Sequence, residues 1–209
     1  RRTNAPGLAT TIHDLGITYE VAGDYTEAWR AYTEAIALID KGPPDPQNAP
    51  GLLVETLEYG ARVALELGET TDDPAISADR LAQSLAVSKR GLDLATANGA
   101  AGADSKDAML SLYARVLVAL RRWDEALPLL RRSLADAENA QPRRSSWIAT
   151  RASALAQTLW EVGGPQERDR AKALAEQAAK EFVLGRVELA TNPAMGAAID
   201  ILDRRVKRL

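Results

Sequence analysis

The sequence predicts an all-α chain of stacked helical hairpins, and three observations carry that prediction. Apolar residues make up 46% and aromatic residues only 5%, so Ala and Leu, the strongest helix formers, supply most of the apolar content. Apolar and small residues recur three and four apart, break at short turn signals and resume. The resulting pattern also returns along the chain at a roughly constant interval, which decides the fold before any other signal.

The first unit is the clearest. Ile12-His13-Asp14-Leu15-Gly16-Ile17-Thr18-Tyr19 is followed by Gly23-Asp24-Tyr25, then by Ala28, Tyr32 and Ala35. Two short amphipathic helices joined at Gly23-Asp24 satisfy this spacing. Gly16 and Ala28 have little or no side chain, so the helices can approach closely, with Tyr19 and Tyr32 filling the space beside them. Leu15, Gly16, Tyr19, Gly23, Tyr25, Ala28, Tyr32 and Ala35 resemble, without a gap, the pattern of a tetratricopeptide repeat (TPR).

Three further units follow. The second opens with Asn48-Ala49-Pro50-Gly51-Leu52, repeating Asn4-Ala5-Pro6-Gly7-Leu8 residue for residue, with Pro placed to start a helix. Its first helix runs through Tyr59-Gly60 and Leu67-Gly68 and fits two registers one residue apart. Its second carries Ser84, Ser88 and Gly91 at the small positions, after an insertion expected around Thr70–Pro74. The third unit reads Leu110, Tyr113-Ala114, Leu117, then Trp123, Ala126, Leu130 and Ser133, with Asp124 as a cap and Pro128 about one turn into the helix. The fourth reads Leu155-Ala156, Leu159-Trp160, Gly163, then Ala171, Ala175 and Ala178, with about three extra residues expected in the turn within Gly164–Asp169. An Ala97–Ala103 linker containing Gly99 and Gly102 separates the second and third units.

From Gly16 to Gly60 is 44 residues, from Ala114 to Ala156 is 42 and from Ala126 to Ala171 is 45. The plain repeat has a period of about 34. The longer units are similar to those of kinesin light chain. The resemblance implies a single domain over 1–209, a right-handed α-solenoid of about four hairpins (9–42, 53–98, 107–140 and 149–185). A capping helix is expected over 193–209, where Met195, Ala198, Ile199, Leu202, Val206 and Leu209 share one face.

Composition restricts function. With no Cys, disulfides and cysteine-based metal or redox sites are excluded. The net charge of -3, with signs interleaved, argues against nucleic acid as a partner. No apolar run approaches a membrane span, no signal-peptide pattern is visible, and a cytoplasmic location is the default. The chain begins Arg1-Arg2 with no Met and reads as part of a longer protein.

No constellation supports catalysis, a cofactor or a metal, and no enzyme activity is expected. His13, the only histidine, lacks a nucleophile partner and reads as solvated or ligand-contacting. Asp72-Asp73 and Glu20 with Glu27 lack a metal-binding spacing and read as solvated, with Asp72-Asp73-Pro74 leading into a helix. Gly99 and Gly102 follow no strand and form no phosphate loop. Arg143-Arg144 and Arg204-Arg205-Val206-Lys207-Arg208 read as solvated faces. Trp29 and Trp123 read as core, and Trp160, one residue beyond a core position, as a binding anchor.

What the resemblance implies about function is a protein-interaction module. In this family the first helix of each hairpin lines a concave groove for a peptide or partner helix. Carried onto this chain, the groove positions are Thr10, His13, Ile17 and Glu20, then Glu58 and Arg62, then Ser111, Arg115 and Val118, then Thr150, Ser153, Gln157 and Trp160. The Lys and Asn that clamp a C-terminal carboxylate in well-known members are absent, since His13 and Ile17 stand there. Two alternatives stay open. The Ala- and Arg-rich style and the phrase Leu155–Gly164 are similar to repeat regions trailing bacterial kinases and signalling NTPases, implying a regulatory segment. Exposed solenoid ends also pair, implying a self-association scaffold or homodimer.

Overall fold

The computed structural model describes residues 5–42, 49–98 and 103–190. Eight α-helices and no strand occur among them. The chain divides into two compact units, Arg1–Arg122 and Trp123–Leu209. The expected helix over 193–209, its basic run, and the Gly99–Gly102 segment lie outside the described residues.

Unit 1 contains α1 (Ala5–Ala22), α2 (Tyr25–Lys41), α3 (Ala49–Thr70), α4 (Pro74–Ala97) and α5 (Ala103–Ala119). The α1–α2 turn follows from two residues. Gly23 takes φ +83°, a left-handed conformation that costs a residue without a side chain nothing. It donates to the Glu20 carbonyl while Asp24 N–H donates to the Tyr19 carbonyl, at 3.0 and 2.9 Å, the paired bonds that close a helix C-terminus. The Asp24 carboxylate then accepts from Glu27 N–H and starts α2.

Packing uses the predicted small residues. A Cβ at Gly16 would stand 2.6 Å from the buried Tyr32 ring, so glycine is what lets α1 lie on α2. Ala28, Tyr32 and Val63 form one core cluster, with Ile17, Tyr19, Trp29 and Tyr59 packed against it. Along α3 the two registers turn out to describe two faces. Gly60 lies against Tyr32 and Trp29 of α2, while the Ala61 carbonyl accepts the Ser84 hydroxyl of α4 at 2.7 Å. Ser88 likewise bonds the Ser84 carbonyl at 2.7 Å, so these small polar residues bury without an unpaired hydroxyl. Gly91 makes room for Met109 of α5, and Ala61, Leu65, Leu81, Leu112 and Val116 form a further cluster.

The expected insertion at Thr70–Pro74 is only a three-residue turn. Asp73 caps α4 by accepting from Ala75 and Ile76 N–H, and Pro74 is its first residue, so the extra length lies in helices of 22 and 24 residues.

Unit 2 contains α6 (Trp123–Asn139), α7 (Ser145–Val162) and α8 (Pro165–Ala190). Asp124 lies inside the first turn of α6 rather than at its cap, where its charge suits the helix dipole. Only Gly163 and Gly164 separate α7 from α8; the residues expected as a longer turn are helical because Pro165 starts α8. Ala126, Leu130, Leu155, Leu159, Ala171 and Ala178 are buried, as the repeat pattern requires, whereas Ala175 and, in unit 1, Leu15 are exposed. Gly185 brings α8 against the backbone of α7, 2.8 Å separating its would-be Cβ from Ser146 N.

Candidate functional site

In unit 1 the first helices of the hairpins are neighbours: α3 touches both α1 and α5. They bring most of the predicted residues of this unit onto three adjacent helices, but not all to the surface.

Glu20 of α1 and Arg62 of α3 form the central contact. Arg62 Nε donates to Glu20 Oε1 at 3.0 Å and Nη2 to Oε2 at 2.9 Å, a fork that fixes both side chains. The guanidinium also lies 4.3 Å from the Tyr59 ring centroid. Burial works against the Arg62 charge, and the Glu20 carboxylate outweighs it, holding the guanidinium above its ordinary pKa. Tyr32 Oη donates to Glu20 Oε2 at 3.3 Å, and burial first, then Glu20, pushes the phenol well above its usual range. Glu20 is therefore no partner of Glu27 on a solvated surface: it is buried, while Glu27 pairs with Arg30.

His13 differs from its expectation as a side chain open to solvent or ligand. It is 3% exposed, its ring 5.7 Å from that of Tyr32 and 5.4 Å from that of Tyr59. Thr56 Oγ1 lies 2.6 Å from the Leu52 carbonyl and 3.1 Å from His13 Nδ1. A carbonyl can only accept, so the single hydroxyl proton goes to Leu52 and His13 Nδ1 must carry the proton it donates to Thr56. The ring is a structural tie between α1 and α3. Sequence spacing does not reveal it, because His13 and Thr56 are 43 residues apart.

Ile17 packs into the core and Ser111 is buried. Thr10 is exposed, and Glu58 and Val118 are partly buried. Arg115 of α5 is partly buried and has a different character from Arg62. No described residue gives it a hydrogen bond or ion pair. Burial lowers its pKa, Glu69 and Glu66 oppose that from a distance, and the like charge of Arg62 adds to it.

In unit 2, α7 carries the other predicted residues. Thr150 turns its hydroxyl back to the Ser146 carbonyl at 2.9 Å, Ser153 is partly buried, and Gln157 is exposed. Trp160 is 51% exposed, with the Arg168 guanidinium 5.7 Å from its ring centroid. The first turn of α7 carries a lock that spacing alone does hint at. Trp147 is flanked by Arg144 at i−3 and Arg151 at i+4, their guanidinium carbons 4.2 and 5.0 Å from its ring centroid. Arg151 is buried and donates to Ser133 Oγ at 3.0 Å, tying α7 to α6. Arg143, expected as solvated, pairs with Glu181 of α8.

Among the described residues no helix is long and apolar enough to cross a membrane, and no three His, Cys, Asp or Glu are grouped to hold a metal ion.

Helix pairs closed at a small-residue seam are the defining feature of tetratricopeptide-type repeats, and the comparisons agree. The tetratricopeptide repeat family model matches residues 109–144, running from α5 through α6. The chain is similar in structure to BtubC (BKLC) from P. vanneervenii, at a TM-score of 0.60 and 16% identity, covering 98% of this chain and 80% of that one. It is also similar to a Podosopora anserina protein of kinesin light chain type with nearly identical TPR-like repeats, at a TM-score of 0.44 and 15% identity, covering 91% and 100%. At these identities the first likeness shows the shared fold. Comparison with curated proteins gives no match. The architecture of this chain is thus of tetratricopeptide type, generally a scaffold for protein interaction and generally non-catalytic.

Proposed function

We propose that this protein binds an extended peptide or partner helix on the face made by α1, α3 and α5, with Arg115 as the anchoring cation. The observation that carries this reading is the contrast between two neighbouring arginines. Arg62 has a bidentate carboxylate and an aromatic face; Arg115 is partly buried and receives no hydrogen bond or ion pair from any described residue. A guanidinium in that state gains from a carboxylate brought by a partner, since a charge-assisted hydrogen bond is worth about 1.5–3 kcal/mol. Thr10, Glu58 and Val118 belong to the same three helices. In unit 2, Trp160 with Gln157 and Ser153 supplies an exposed aromatic anchor of the kind that dominates interfaces. The segment bound is therefore acidic, and the protein acts by recruitment, without chemistry of its own.

Selection of a random peptide display library on the full chain tests this. Wild type should enrich peptides with an acidic residue. Arg115→Glu should weaken them at least about tenfold, the equivalent of 1.4 kcal/mol, while Lys89→Glu on the exposed side of α4 leaves them bound. An identical peptide set from wild type and Arg115→Glu removes the α1–α3–α5 face as the binding surface.

A further inference from the structure

The side of α3 that its buried residues leave open is a row of charges. Val54, Leu57, Gly60, Ala61, Ala64 and Leu65 are buried, whereas Glu55 and Glu69 are exposed and Glu58, Arg62 and Glu66 are partly buried. The five charged residues follow one another at spacings of three and four, so they share one side of the helix. Four of them are carboxylates. Arg62 does not balance them, because its guanidinium is held by Glu20 of α1 through two hydrogen bonds, at 3.0 and 2.9 Å.

The imbalance belongs to this face and not to the unit. Helices α1, α3 and α5 carry eight acids against three bases, while α2 and α4 carry five of each. The field of the row reaches its neighbours at both ends. Burial raises the Tyr59 phenol above its ordinary pKa, Arg62 opposes this, and Glu55 and Glu58 add to it. Burial lowers the pKa of Arg115, and Glu69 and Glu66 are the acids that oppose this. Glu55 is the open end of the row, exposed and bonded to no other described residue.

These charges restrict what the face can hold. A segment with acids alone gains at Arg115 and is repelled along the rest of α3, and like charges brought together are what exclude a wrong partner. Resting on Arg115 as the seat of the segment's acid, we infer that the same segment carries a lysine or arginine over Glu55 and Glu58. The face then selects the pair of opposite charges rather than the acid alone. The spacing of the pair follows from the helix. Glu66 acts on Arg115, and the eight residues from Glu58 to Glu66 span about 12 Å. An extended segment covers that distance in roughly four residues, and a helical one in about two turns.

Peptide selection on the full chain reads the pairing. Wild type should enrich peptides in which a lysine or arginine stands at that distance from the acid. The Glu55→Lys/Glu58→Lys chain should bind them at least about tenfold more weakly. It should bind them again once the peptide's base is replaced by glutamate, which a misfolded chain could not do. Glu27→Lys/Glu34→Lys, the same change of charge on α2, should leave the original peptides bound. Selected peptides that keep the acid with no excess of lysine or arginine would overturn the inference and leave Arg115 as the anchor. Basic peptides without an acid, held equally by Arg115→Glu, would overturn the anchor and the pairing with it. An equal loss in the α2 variant would reduce the effect to net charge and remove Glu55 and Glu58 as the selecting residues.

Discussion

At Gly16 a single missing side chain decides whether two helices can touch. Tyr32 is buried and cannot retreat, so Gly16→Ala should destabilise unit 1 by roughly 1–2 kcal/mol, overpacking outweighing the better helix propensity of Ala. A shift of the urea midpoint measures it. Arg121 shows the reverse case. It holds φ +57° at the end of α5, with the same pair of closing bonds that Gly23 makes after α1. A side chain there costs about 1–2 kcal/mol, part of it offset by the chain entropy that glycine loses on folding. Arg121→Gly should therefore stabilise unit 1 by roughly 0.5 kcal/mol, and an unchanged or lower midpoint would refute the strain. The Glu20–Arg62 pair makes a third test. Arg62→Met leaves a buried carboxylate without its counter-charge and should cost about 3 kcal/mol, whereas Glu20→Met with Arg62→Met should recover most of that loss. Residues of the first kind are legible in sequence, because a glycine or alanine at a fixed offset announces close packing. The ties made by His13, Thr56 and Glu20 are not, since each partner lies a whole hairpin away and short-range pattern contains no trace of it.

Among the elements, α8 depends on α7 through groups that respond to pH. Burial raises the Glu181 carboxyl, and hydrogen bonds from Arg143 and Ser145 with the charge of Arg143 more than reverse this, leaving its pKa below the ordinary 4.5. A depressed folded-state value means that the stabilisation is complete above 4.5 and is lost as pH falls through the folded pKa. The stability difference between wild type and Glu181→Gln should be constant near neutrality and vanish in acid; a difference that grows on acidification would contradict the pairing. Helix boundaries were readable where a capping Asp or an initiating Pro stands, as at Asp73-Pro74. At Gly164–Asp169 the same signal acts earlier than the repeat pattern suggests, because Pro165 starts α8 and leaves a turn of two residues. The two registers of α3 could not be separated in sequence for a physical reason: Gly60 and Ala61 are both small because they face different helices.

At the scale of the molecule, each unit has its own core, and repeat architectures distribute stability among nearest neighbours. Arg151→Ala, which strands the buried Ser133 hydroxyl, should speed amide exchange in α6, α7 and α8 while protection in α1–α4 stays as it was. The fold class was legible because small residues return at a fixed period. The proposed binding face was legible only as a set of positions, since exposure at those positions depends on what the neighbouring hairpin brings. Arg115 and Trp160 differ from Ile17 and Ser111 in surroundings, not in register. An amide chemical-shift map of the full chain, titrated with a peptide that it selects, reads the proposed face most directly. The largest changes should fall in α1, α3 and α5 around Arg115; changes confined to α2 and α4 would rule that face out.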